Sequence, residues 1–132
     1  MCYNVAMYRV KIIAKIDSPF KAIAKDYEFS IDTKGRGVTP PDALLASLAS
    51  CVGVYIRTYV EGAKITLNDF TVTAEAEFSK EPPLCFREIR VALDLKGVLL
   101  DERRKQALLD FIKNCPVHNT LKATPRIDVS IT

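Results

Sequence analysis

Two thiols and their neighbours hold the chemistry open to this chain. Cys51 closes the stretch Gly37-Val38-Thr39-Pro40-Pro41-Asp42-Ala43-Leu44-Leu45-Ala46-Ser47-Leu48-Ala49-Ser50-Cys51. Cys115 opens a second stretch, Cys115-Pro116-Val117-His118-Asn119. The thiolate is the nucleophilic and redox-active form of cysteine. The other two thiols, Cys2 and Cys85, are read as structural or incidental. No cysteines stand at zinc-site spacing, and there is no Cys-x-x-Cys redox motif. His118 is the only histidine, so neither a Cys-His-Asn catalytic set nor a histidine-rich metal site is supported. No metal site is expected from these residues. Cysteine is among the most buried residue types, so on residue type alone Cys51 reads as packing.

The elements that must place these thiols follow from capping and periodicity. Thr39 can cap a helix, Pro40 suits its first turn, and Asp42 follows three residues later. From Ala43 to Ile56 no residue is charged. A helix this apolar all round is expected to be buried. Its uncharged run is shorter than the roughly 18 residues of a membrane span. Gly62 is the expected stop. Before this helix, Tyr8, Val10, Ile12, Ala14 and Ile16 alternate within a strand read over residues 3–16. Two short strands follow at Phe20–Ala24 and Tyr27–Ile31, joined through Lys25-Asp26. After it, Phe70 to Phe78 and Ile89 to Leu95 alternate and predict a long antiparallel pair. Asp101 opens a second helix with the stripe Ala107, Leu108, Phe111, Ile112 and Cys115, ended by Pro116. Ile127, Val129 and Ile131 predict a closing strand.

Strand runs without βαβ alternation indicate an α+β fold with antiparallel sheets, in one domain over residues 1–132. One sheet and one amphipathic helix are too little to cover a helix apolar on all sides, so a homodimer is the expected remedy. Lys and Arg number 19 against 16 Asp and Glu, giving +3 with the signs interspersed. No basic stripe with interleaved aromatics is present, so nucleic-acid binding is not expected. No signal-peptide or lipidation pattern is read, so no membrane partner is expected and a cytoplasmic location follows.

The two cysteine stretches resemble the two motifs of the OsmC / Ohr family, the osmotically inducible protein C and organic hydroperoxide resistance proteins. The first resembles a Gly, Pro and Glu pattern before a Leu- and Ala-rich run ending in Cys. The second, Cys115 to Lys122, resembles Cys-Pro-Val, a variable residue, Asn, and a stretch to Leu. The resemblance covers nearly the whole chain. It implies an intertwined α+β homodimer with the central helices in the dimer core and active sites at the interface. It also implies a cofactor-free thiol peroxidase acting on organic hydroperoxides. On that pattern Cys51 attacks the terminal peroxide oxygen and an alcohol leaves. The sulfenic acid then condenses with Cys115, and a dithiol or lipoyl-bearing protein reduces the disulfide.

The family activates its thiol with an arginine from the N-terminal strands, paired to the Glu before the central helix. Here Asp42 stands at the carboxylate position, and the strands Phe20–Ile31 carry Lys21 and Lys25 but no arginine. Arg36 is the nearest upstream arginine, ahead of Arg9 and Arg57 as candidates. Asp42 also fits simple capping, and Arg36 a solvated loop. Asp42 and Cys51 are nine residues apart, on opposite helix faces and roughly 13 Å apart along the axis, so Asp42 can act only through a cation. Cys115, read at the end of its helix, meets partial negative charge, which suits a resolving thiol. Leu44, Leu48, Val54 and Tyr55 share the Cys51 side and would line an apolar pocket or a dimer core. His118 falls at a variable motif position and reads as a surface or interface residue. The competing readings are a dimer that binds a small apolar or acyl ligand without efficient turnover, and a purely structural dimer.

Overall fold

The computed structural model describes residues 7–132. Cys2 and the start of the first expected strand lie outside the described residues. Two compact units divide the chain between Leu44 and Leu45.

The first unit is a three-stranded antiparallel sheet of β1 (Lys11–Ile13), β2 (Phe20–Ala24) and β3 (Tyr27–Ile31), in that order. The bounds of β2 and β3 are those read from the sequence. They pair from Phe20↔Ile31 to Ala24↔Tyr27, and Lys25 takes φ +51° in the turn. The first strand is shorter than expected, because β1 pairs only with Lys21–Ile23. Among the described residues of this unit only Ala22 and Asp32 are buried, while Phe20 and Phe29 stay nearly half exposed. After β3 the chain doubles back: Val38 N–H donates to the Ser30 carbonyl at 3.3 Å, and Asp32 N–H to the Val38 carbonyl at 3.1 Å. Gly37 is required there, since a Cβ would stand 2.7 Å from the Ser30 oxygen.

Helix α1 (Pro40–Gly62) follows. Thr39 Oγ1 accepts the Asp42 N–H at 3.2 Å, the expected cap. Pro40 and Pro41 take the first two helical positions, where a missing N–H costs no helical bond. The far end differs from expectation. The left-handed residue is Lys64, at φ +55°, not Gly62. Ile65 N–H reaches the Val60 carbonyl and Lys64 N–H the Glu61 carbonyl, the paired bonds of a Schellman stop.

In the second unit, Leu48, Val52, Ile56 and Val60 form a buried stripe of α1 that joins Leu108 in the core. By length and composition α1 could cross a membrane, but this stripe packs into protein core. The helix is not buried all round as expected: Leu44 and Val54 are 39% and 46% exposed. Against the core pack the half-buried Val72 of β4 (Thr71–Phe78) and Ile89 and Leu93 of β5 (Phe86–Asp94). These strands form the expected antiparallel pair, with a bulge that leaves Phe78 stacked on Phe86 at 4.8 Å. Helix α2 (Glu102–Ile112) starts at Asp101, whose carboxylate accepts the Arg104 N–H at 2.8 Å. Its Phe111 packs on Tyr55 and Tyr59.

Two expectations for the C-terminal third fail. A third helix, α3 (Pro116–Ala123), follows α2, because Pro116 is pre-set to start a helix as well as to end one. The closing strand is absent. Ile127, Val129 and Ile131 alternate as a strand would, but they are 79%, 91% and 100% exposed. A strand needs an edge to pair with, and this segment pairs with none among the described residues.

The helix stop gives a direct test. Gly62→Ala should stabilise the protein by about 0.5–1 kcal/mol, since Gly62 is helical and its Cβ direction is open. Lys64→Gly should also stabilise, by relieving φ +55°. Thermal unfolding reads both, and destabilisation by Gly62→Ala would return the stop to Gly62.

Candidate redox site

Helix α2 is exhausted at Lys113, and Asn114 and Cys115 N–H groups still reach back to Phe111 and Ile112 carbonyls. Cys115 then takes φ −56°, ψ 121°, the extended backbone of a helix cap, and Pro116 begins α3. The expectation that Cys115 sits at the negative end of a helix is therefore corrected. It caps the positive end of the next one. Its Sγ accepts the His118 N–H at 3.4 Å, and its carbonyl accepts the Asn119 N–H at 3.0 Å. Cys115 is fully buried.

Cys51, half-buried on α1, is brought against this turn. Burial pushes the Cys51 thiol up, and hydrogen bonding with the Cys115 thiol raises it further. The Val117 backbone N–H, hydrogen-bonded to Cys51, pulls the other way. The two thiols the sequence singled out thus meet, both reduced.

The other expected residues go elsewhere. Arg36 pairs with Asp32, not Asp42: its Nε lies 3.0 Å from Oδ2 and its Nη2 3.5 Å from Oδ1. The same carboxylate accepts the Lys34 and Arg36 backbone N–H groups at 3.2 and 3.1 Å. Side-chain hydrogen bonding from Arg36 holds the Asp32 carboxyl below its usual range, against the opposing effect of burial. Asp42 is exposed at the start of α1 and makes no salt bridge among the described residues. Lys21 pairs with Glu28, and Lys25 stands over the Tyr8 ring. Of the four residues expected to line an apolar pocket or a dimer core, Leu48 lines a groove. It shares with Val91 and His118 the walls of two open grooves of about 440 and 320 Å³. Tyr55 instead packs on Phe111.

A family model of OsmC-like proteins matches residues 33–130, a span holding both cysteines. The chain belongs to the OsmC-like family. It is 27% identical over 135 residues to a hydroperoxide reductase of Mycoplasma genitalium, covering 95% of each chain. Its fold resembles an OsmC-like protein from Mycoplasma pneumoniae, with a TM-score of 0.77, 24% identity and coverage of 92% and 91%. An organic hydroperoxide resistance protein from Legionella pneumophila gives a TM-score of 0.64 at 20% identity, with coverage of 91% and 92%. These likenesses establish the α+β OsmC fold.

Within this OsmC-like chain, sequence reasoning missed Asp32 and the backbone of Val117 and His118. Asp32 carried a signal: an acidic residue followed by Lys34-Gly35-Arg36 is the pattern of a side chain folding a loop onto itself. The backbone donors had one too, since proline after cysteine can open a helix.

Asp32→Asn should lower the thermal midpoint at pH 7. The folded-state pKa is depressed, so this stabilisation is present above the unfolded value and lost as pH falls through the folded one. The gap to the unmodified protein should therefore close as pH falls below about 4. A gap independent of pH would mean that the charge on Asp32 is not what holds the loop.

Proposed function

We propose that the protein is a thiol peroxidase that reduces organic hydroperoxides to alcohols. The observation that supports it is the contact between Cys51 and Cys115. A relative matched along 95% of both chains bears the name hydroperoxide reductase. Cys51, the less buried thiol, attacks the terminal peroxide oxygen as thiolate. The O–O bond breaks, the alkoxide takes a proton and leaves as alcohol, and Cys51 becomes a sulfenic acid. Cys115 sulfur attacks that sulfur, water leaves, and a Cys51–Cys115 disulfide forms. A dithiol or lipoylated protein restores both thiols. Asp42 and Arg36 are assigned no contact with the reacting sulfur; Arg36, held by Asp32, orders the loop before α1.

The two units act as a single OsmC domain within a homodimer, in a reducing compartment such as the cytoplasm. The dimer accounts for the open face of α1 around Leu44 and Val54 and for the apolar sheet of the first unit. It also gives the alternating segment Ile127 to Ile131 a partner edge. A second reading, binding of a small apolar or acyl ligand with little turnover, is favoured by the apolar groove between Leu48, Leu93 and Ile112 and by the raised Cys51 thiol.

Steady-state consumption of cumene hydroperoxide with a small dithiol separates the two. The peroxidase reading expects consumption that Cys51→Ser abolishes. It also expects the rate to climb with pH through and beyond the ordinary thiol range, because the thiolate reacts and its pKa is raised. Binding of cumene alcohol with no dithiol-dependent consumption would leave the ligand-binding reading. Sedimentation should give a dimer; a monomer at micromolar concentration contradicts the assembly.

A further inference from the structure

We infer that the groove between β5 and α3 binds an aliphatic carboxylate, its head group held by Arg87 and Lys122. The inference goes beyond the proposed redox chemistry, since neither Cys51 nor Cys115 lines this groove. Side chains of a strand alternate between its two faces. Ile89 and Leu93 of β5 pack on the core, and Arg87 stands two residues before Ile89 in the same row. A guanidinium therefore occupies the apolar row, and Arg87, Ile89 and Val91 line the groove together. The strand bulges at this point: Ala76 pairs with Ile89 but Phe78 with Phe86, so Arg87 and Glu88 both stand opposite Glu77. A bulge re-aims the side chains it carries. Glu88 is taken by Arg90 at 2.8 Å, and Arg90 also holds Glu75. Glu77 lies beside Arg87 in the wall of a separate polar groove without forming an ion pair with it. Arg87 thus has no salt bridge among the described residues.

The opposite wall repeats the pattern. His118 and Lys122 are one turn apart on α3 and both line the groove, with Leu121 beside them. Lys122 also makes no salt bridge among the described residues, and no carboxylate lines the groove. Leu48 and Phe86 complete an apolar channel of about 320 Å³ with two unmatched cations in its walls. A charge beside apolar surface is favoured by a partner of opposite sign. The guanidinium fork matches a carboxylate through two parallel hydrogen bonds, and the ammonium adds charge from the other side. A small anion would use only the cations, and an alcohol only the walls. A carboxylate on a hydrocarbon chain uses both. The volume stands at the low end of the roughly 300–1,000 Å³ of small-molecule sites, which suits a chain of medium length such as octanoate.

Titration calorimetry of the reduced protein with octanoate, octan-1-ol and octylammonium tests this. Octanoate should bind about tenfold or more tighter than octan-1-ol, and octylammonium weakest of the three. Arg87 and Lys122 are both exposed, so their replacement leaves the fold in place. Arg87→Gln and Lys122→Gln should each weaken octanoate about tenfold and leave octan-1-ol unchanged. Lys96→Gln removes a cation beyond the far end of β5 and should change neither. Equal affinity for the three compounds, or an equal loss in Lys96→Gln, overturns the inference. Absence of octanoate binding overturns it too. If Arg87→Glu then also shifts the sedimentation of the protein, the occupant of the groove is a second copy instead. Binding is read without peroxide, so a failure here leaves the peroxidase reading untouched.

Discussion

The turn between α2 and α3 is the constraint on which the site depends. A buried thiol needs a partner or a donor, because sulfur charge in apolar surroundings is costly. Here α2 closes at its cap Lys113, and Pro116 starts α3 directly behind that helix's own cap, Cys115. The cap fixes the Cys115 sulfur against the His118 N–H, within reach of Cys51 on α1. Neither sulfur is placed by a flexible loop. One stands on a 23-residue helix, the other at a helix start.

The long helix carries the opposite tension. Its buried stripe from Leu48 to Val60 makes the core of the second unit, and Cys51 rides beside that stripe at Val52. Its other side is apolar as well, yet Leu44 and Val54 are left partly in solvent. Water contact with an uncharged helix face is unfavourable, and a symmetric partner offering the same face removes it. The proposed dimer therefore follows from the same uncharged run that positions the reactive thiol. The exposed alternation of Ile127, Val129 and Ile131 points the same way, as a strand in composition that pairs with no edge among the described residues.

Much of this was legible in the sequence because it is written in local rules. Thr39, Pro40 and Asp101 marked helix starts, and alternation from Phe70 to Leu95 gave the β4–β5 pair. The two cysteine stretches singled out the thiols that meet. What escaped were features decided by competing uses of one residue. From sequence Pro116 signals a stop as readily as a start, which hides α3 and the polarity of the Cys115 environment. Glycine tolerates positive φ most easily, which points to Gly62 as the stop, yet Lys64 takes that conformation. Arg36 and Asp42 both flank the helix start, but the Asp32 carboxylate four residues upstream of Arg36 has the shorter path. Periodicity identified a strand at 127–131 but cannot say which edge would receive it.

The central claim is that Cys51 and Cys115 form one redox unit, and its most direct test is thiol mapping by mass spectrometry after one equivalent of cumene hydroperoxide. The account predicts a Cys51–Cys115 disulfide, formed much faster than with hydrogen peroxide, with Cys85 left reduced. Two free thiols at these positions, or slow oxidation spread over Cys2 and Cys85 as well, would contradict it.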